Sequence, residues 1–259
     1  MAVNLMLLWW SPVCLAVVFL VAYLWQTRSR NAGWVDVCWA AGVGVTGALH
    51  ALAGTGDASL RLTVALIYLV WFGRLSLHLA GRVAGAEEDG RYAALRVWAG
   101  DRWRSVFLGM YMMQAFWVWL FALPAWVISQ AQEPSAVLYV AALLLVVVAW
   151  LGETLADRQL AAFKADPQNQ GKTCRKGLWR YSRHPNYFFE WLHWFAYPLL
   201  GAASPWGFWL WSAPAVMFVF LYFVTGIPFT ERQALRSRGE DYRDYQRRTP
   251  MFIPWRPKS

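Results

Sequence analysis

Apolar runs about as long as a bilayer is thick recur along most of this chain. A helix rises about 1.5 Å per residue, so about 20 consecutive apolar residues cross a hydrocarbon core. Lipid offers no water to the backbone, and a run of that length meets its own N–H and C=O groups by forming a helix. Runs of this kind fall at 5–26, 34–54, 60–81, 105–129, 136–157, 187–202 and 206–228. The sixth and seventh are short and are split by Gly201-Ala202-Ala203-Ser204-Pro205, which predicts a hairpin that only just crosses. With 58% of residues hydrophobic and 15% charged, an ordinary soluble domain is excluded. The expectation is an all-α, polytopic membrane protein with seven transmembrane helices.

The cations fix the expected orientation. Of 24 Lys and Arg, 22 fall in segments on one side of a seven-span chain. The exceptions are Arg61, in an opposite loop, and Arg74, inside the third span. The excess of positive charge in cytoplasmic loops places the N-terminus outside and the C-terminus in the cytoplasm. Segments 82–104, 158–186 and 229–259 are then cytoplasmic. The formal net charge of +9 reports this topology and contact with anionic membrane lipid, not nucleic acid. Cys14, Cys38 and Cys174 are scattered, so neither a disulfide framework nor a metal cluster is expected. No cationic stretch precedes the first apolar run, which therefore reads as a retained helix. A monomer is expected, integral to the membrane, and to the inner membrane for a bacterial source.

Polar groups concentrate at Gly177-Leu178-Trp179-Arg180-Tyr181-Ser182-Arg183-His184-Pro185-Asn186-Tyr187-Phe188-Phe189-Glu190. So many at the mouth of a membrane segment are costly unless they bind something. Pro185 suits the first turn of a helix, which puts Asn186 and Glu190 one turn apart on one face. Glu153, Asp157 and Lys164 share a face near the end of the fifth span. They are either charges reaching for the interface, or an acid pair for amide and hydroxyl groups with Lys164 on a phosphate. Arg74 and His78, four apart in the third span, form either a structural ion pair, with Asp36 one candidate partner, or part of a catalytic site. His50 reads as interfacial, and His193 as a satisfied core histidine. The tail reads as a short helix, a break at Gly239, and a second helix bearing Tyr242 and Tyr245; Pro250, Pro254 and Pro257 end it. No metal-ligand spacing, Gly-x-Gly-x-x-Gly or P-loop occurs. A nucleotide would be held by cations, tyrosines and helix ends.

The stretch 177–190 is similar to the signature of bacterial membrane proteins grouped with the steroid 5α-reductase C-terminal domain. The likeness extends back through Glu153, Asp157, Gln159, Phe163 and Lys164, and forward through Glu231, Gly239, Tyr242, Tyr245 and Ile253-Pro254. It covers about residues 150–255; the first half resembles the family in span pattern and in Asp36, Trp39, Arg74 and His78. The superfamily includes sterol C14 reductases and isoprenylcysteine carboxyl methyltransferases. The resemblance implies an NADPH-dependent reduction of a C=C bond, most simply the Δ4 bond of a 3-keto steroid. It implies a substrate-cavity half, 1–130, and a cofactor half, 131–259. Asp157, Lys164, Lys172, Tyr181, Arg183, His184, Asn186, Glu231, Tyr242 and Tyr245 become the expected NADPH contacts. Glu190 and Tyr187 become the catalytic pair, with Glu190 on the substrate carbonyl, which it could hold only as the protonated acid. Asp36, Trp39, Trp71 and Arg74 complete the expected substrate contacts. Two positions depart from the pattern: Trp71 and Arg238 each stand where relatives have a tyrosine. The rival readings are a methyltransferase using S-adenosylmethionine, whose relatives share the Arg-His-Pro-x-Tyr element, and a non-catalytic lipid carrier.

Overall fold

The long apolar runs fold as their length requires. A computed structural model describes residues 2–132, 134–224 and 226–258, with side chains from Leu5 onward. Among these residues the chain is all-helical, without strands. The helices are α1 (Ala2–Ser29), α2 (Trp34–Leu52), α3 (Ala58–Val83), α4 (Gly90–Ala99), α5 (Trp103–Ile128), α6 (Ala136–Ala165), α7 (Pro185–His193), α8 (Ala196–Leu200), α9 (Ser212–Val219), α10 (Ile227–Arg238) and α11 (Glu240–Arg248). Local chemistry sets their ends. Asp57 accepts the Leu60 N–H at 2.8 Å to start α3, and Asp89 accepts the Arg91 N–H at 2.9 Å to start α4. Gly239, at φ +53°, makes the break between α10 and α11.

Six helical stretches are long and apolar enough to cross a membrane: Leu5–Ser29, Trp34–Leu52, Ala58–Val83, Gly90–Ile128, Ala136–Ala165 and Gly207–Arg238. This is an integral, multi-pass membrane protein. The last stretch is composite, with a 3-10 turn at Gly207–Trp211 and a π-turn at Phe220–Val224 on either side of α9. The segment expected as a sixth span, 187–202, is instead two short helices, α7 of nine residues and α8 of five. The break falls one turn before Pro198, which has no N–H to give the Trp194 carbonyl and so weakens the helix at that turn. The segment between α3 and α5 also carries a helix, α4, within the stretch 82–104 expected as a polar connection.

The chain divides into two compact units. The first holds 1–134 with 201–207, and the second holds 135–200 with 208–258. In the first unit α2 packs on α3 and α5, and α1 packs on α5. A Cβ on Gly47 of α2 would stand 2.0 Å from the ring of Tyr68 on α3. Tyr68 is fully buried and its hydroxyl donates to the Phe121 carbonyl at 3.0 Å. His50 corrects its interfacial reading: it is fully buried, 3.1 Å from Ser11 Oγ and 3.4 Å from the Ala122 carbonyl. It joins α2 to α1 and α5.

In the second unit α6 packs on α7 and α8 through small residues. Ala142, Ala149 and Ala156, spaced by seven, are fully buried, and a Cβ on Gly152 would stand 2.4 Å from the Phe189 ring. Small side chains let helices approach where lipid gives no hydrophobic drive to associate. Another α6 face, Val137, Val140, Leu144, Val148, Leu151 and Leu155, is exposed and suits hydrocarbon.

The close contact at Gly47 yields a paired prediction. Gly47→Ala should destabilise the detergent-solubilised protein by about 1–3 kcal/mol, the usual cost of overpacking. Gly109→Ala, where a Cβ meets nothing within 4 Å, should leave the unfolding temperature unchanged or raised. Scanning fluorimetry of both variants provides the check.

Candidate functional site

The second unit gathers most of the sequence-predicted site around α7. The approach to that helix is pinned to α6 first. Gly177 takes φ +58°, and its Cα lies so close to Gln159 that a Cβ would stand 2.4 Å from the amide. Gln159 Oε1 accepts the Leu178 N–H at 2.8 Å, and the Trp179 indole donates to the Ala156 carbonyl at 2.9 Å. The chain after α11 then folds back over this loop. Arg183 N–H donates to the Pro250 carbonyl, Trp255 N–H to the Tyr181 carbonyl, and the Ser182 hydroxyl to the Phe252 carbonyl at 2.8 Å.

Glu231 of α10 ties these pieces together. Its carboxylate accepts from Arg183 Nε at 2.6 Å, Gln246 Nε2 at 2.7 Å and the Tyr242 hydroxyl at 3.2 Å. His184 Nε2 lies 3.2 Å from the same oxygen that Arg183 meets. Arg183 Nη1 donates to the carbonyls of Gln246 and Thr249. The Tyr245 hydroxyl donates to the carbonyls of Trp179 and Ser182. Arg175 completes the frame, with Nη1 on Asp244 at 2.7 Å and Nη2 on Asp241 at 2.8 Å. Arg183, His184, Glu231 and Tyr242, all expected as cofactor contacts, therefore come together with their polar atoms turned on one another, while Tyr245, expected with them, turns its hydroxyl on the backbone before α7. Tyr181 is exposed and contributes its carbonyl.

On α7 itself, Pro185 occupies the first turn as its chemistry predicts. Asn186 Nδ2 donates to Asp157 Oδ1 at 3.2 Å, joining α7 to α6. One turn on, Glu190 is buried and accepts the Trp194 indole N–H at 3.1 Å. His193 is buried beside it, with Nδ1 2.7 Å from the Glu190 carbonyl. Tyr187 stacks on His184, centroids 5.5 Å apart and planes 6° off parallel. Two further polar groups share the Asp157 face of α6. Trp150 Nε1 and Thr154 Oγ1 are buried and make no hydrogen bond. Glu153 is buried on α6 as well. Lys164, in the last turn of α6, is exposed, as are Lys172, Lys176 and Arg180 beyond it.

The expected substrate residues of the first half lie in the first unit. Asp36, a candidate partner for Arg74, is held by Arg91 Nη2 at 2.7 Å and the Tyr92 hydroxyl at 2.6 Å. Trp39 meets Phe72 and Phe121 edge-on. Trp71 is buried on α3 and Arg74 is half-buried one turn along. The sequence reading missed Arg91 and Tyr92 because they sit on α4, and it missed Arg175 and Gln246 because surface-type residues give no hint of their partners. Tyr92 and Ala99 are buried at a helical interval of seven on α4, a short apolar face that could have marked the helix. Among the described residues no group of three or more His, Cys, Asp or Glu is placed to hold a metal ion.

Residues 22–249 match the family described as Protein of unknown function (DUF1295). The chain belongs to that family. No curated protein and no solved structure matches it. The match runs from α1 through α11, so it takes in both units and the whole frame around Glu231.

In this DUF1295 protein the frame makes two demands on stability. Arg183 has only 10% of its side chain exposed, so deleting its carboxylate partner strands a buried charge. Glu231→Ala should therefore cost about 3–5 kcal/mol, measured as a loss of unfolding temperature. The second demand concerns protons. Burial pushes the His184 imidazole below its ordinary value, with Glu231 pulling against it. Arg175 and then Arg248 draw Asp244 down to about 2. The fold thus resists the proton that unfolded His184 takes up as pH falls through about 6.5. That contribution is complete above this value and is lost below it, and the lowered aspartate adds a further loss under about pH 4. The unfolding temperature should drop between pH 7.5 and 5.5, and His184→Gln should flatten the drop. An undiminished drop in the variant would show that another group titrates.

Proposed function

We propose that this protein is an NADPH-dependent membrane reductase acting on the C=C bond of a hydrophobic enone, most simply the Δ4 bond of a 3-keto steroid. The observation that carries this reading is the Asn186–Asp157 pair at 3.2 Å, one turn from the buried carboxyl of Glu190. An amide and two carboxyl groups at the mouth of a membrane helix suit an amide-bearing cofactor and a polarised carbonyl. The likeness of residues 177–190 to the steroid 5α-reductase signature points the same way.

The residues present fit the cofactor. Trp150 Nε1 and Thr154 Oγ1 are buried donors without partners on the α6 face that carries Asp157. Asn186 and Asp157 would orient the nicotinamide amide. Lys164, Lys172, Lys176 and Arg180 lie exposed along the 158–183 segment and would hold the phosphates. The excess of cations in segments 82–104, 158–186 and 229–259 supports seven crossings with these segments in the cytoplasm, where NADPH is available. When bound, NADPH would supply the hydride. Glu190, as the protonated acid, would donate a hydrogen bond to the substrate carbonyl, the oxygen on which negative charge develops. Tyr187, held flat against His184, would deliver a proton to the carbon beside that carbonyl. The Arg183–Glu231 frame fixes the start of α7 and so positions both. That frame is shared in sequence with membrane methyltransferases; Asn186 with Glu190 favours the reductase.

Two substitutions separate these roles. Glu190→Gln should lower turnover by about 100-fold or more, with the NADPH dissociation constant within about twofold of the parent. Equal losses of turnover and cofactor affinity would place Glu190 on the cofactor instead. Asp157→Ala should weaken NADPH binding by about tenfold, the scale of one lost hydrogen bond to a charged group. An unchanged dissociation constant would remove Asp157 from the cofactor site.

A further inference from the structure

The chain beyond α11 carries apolar side chains on its outside. Ile253 is 58% exposed and Trp255 is 73% exposed. Arg256 and Lys258, close by, are exposed as well. Pro254 and Pro257 fall among them, and each restricts its own φ and the residue before it. The strap is therefore stiff and extended.

It is also tied down. Just before the patch, the Phe252 ring is buried against Trp191 of α7 and Phe218 of α9, with centroids 5.5 and 5.6 Å apart. Trp255 N–H donates to the Tyr181 carbonyl at 2.9 Å, and Lys258 N–H to the Arg248 carbonyl at 2.7 Å. The backbone of the strap is thus spent on the protein, while its side chains at 253 and 255 are left outside.

Its place along the membrane helices decides what those side chains face. Phe218 and Tyr222, whose ring lies 6.1 Å from Phe252, belong to the spanning stretch Gly207–Arg238. The loop that Trp255 meets is fixed to α6 at Ala156 by the Trp179 indole. On α6 the exposed Leu155 is followed at once by Asp157 and Arg158, where apolar sequence gives way to charge. The patch therefore lies at the level where two membrane-crossing stretches leave hydrocarbon. Tryptophan and cations at that level are interfacial anchors.

Charge narrows the partner. Glu231 is matched by Arg183, Asp241 and Asp244 by Arg175, and Glu240 by Arg243. Among the described residues Arg256 and Lys258 have no carboxylate partner. Two uncompensated cations beside two exposed apolar side chains suit anionic headgroups overlying hydrocarbon. A free phosphate would meet the cations and leave Ile253 and Trp255 in water.

We infer that Ile253, Trp255, Arg256 and Lys258 form a docking surface for the anionic headgroup layer of the membrane. The same strap holds the loop before α7 through Tyr181, Ser182 and Arg183, so seating it on lipid steadies the start of that helix.

The test uses the full-length protein in nanodiscs of phosphatidylcholine or of phosphatidylglycerol, without NADPH. Hydrogen exchange of the Arg183 and Trp255 amides is followed, since both bond across this strap. Both should exchange about tenfold more slowly in phosphatidylglycerol, the scale of two cations held near an anionic surface. Arg256→Gln combined with Lys258→Gln should bring the two membranes to within about twofold. Ile253→Ser should speed exchange about tenfold in both membranes, the order of one aliphatic side chain lost from lipid. The three substituted side chains are exposed, so the packed interior is untouched. Equal rates in the two membranes, or a difference that survives the double substitution, would overturn the docking surface. An unchanged rate in Ile253→Ser would do the same. So would slowing by inorganic phosphate added to phosphatidylcholine nanodiscs, which would make the cations a site for a small anion. The surface needs no reaction, so its failure leaves the reductase reading standing.

Discussion

Glu231 sits on α10 and accepts hydrogen bonds from groups as far apart in sequence as Arg183 and Gln246. A carboxylate that leaves water needs its lone pairs met, and this one is met by a guanidinium, an amide and a phenol, with an imidazole alongside. The consequence is geometric. The loop before α7, the two helices of the tail and the chain beyond them must assemble together or leave a buried charge uncompensated. Tyr187 and Asn186 follow His184 within one helical turn, so their placement depends on the same carboxylate.

The membrane imposes a second constraint. With lipid outside, helices gain little by hiding apolar surface, and they associate where backbones can come close. The chain answers with Gly47 under Tyr68 in one unit, and with Gly152 against Phe189 of α7, between the buried Ala149 and Ala156, in the other. Large apolar side chains are turned outward instead, as along Val140, Leu144 and Leu151. Polar groups inside such a structure are expensive. Among those that persist, Glu190 and Asp157 are the groups with a function to account for.

Much of this was legible in the sequence because it rests on local chemistry. Apolar length marked the long helices, Pro185 marked the start of α7, and Gly239 marked the break before α11. Helical spacing alone placed Asn186 and Glu190 on one face. What was not legible depends on partners far away in the chain. Nothing near Glu231 announces Arg183, and nothing near Asp36 announces Arg91 and Tyr92. His50 lies near a span end and looks interfacial until Ser11 of α1 and the Ala122 carbonyl of α5 are seen around it. The apolar run at 187–202 conceals a break between α7 and α8, because hydropathy does not register the N–H that Pro198 lacks.

The central claim is the reaction. The most direct measurement is NADPH oxidation by the purified protein, with and without a Δ4-3-keto steroid such as progesterone, with the product identified. The account predicts steroid-dependent oxidation and a saturated 3-keto product. Absence of any NADPH binding, with binding of S-adenosylmethionine in its place, would contradict it.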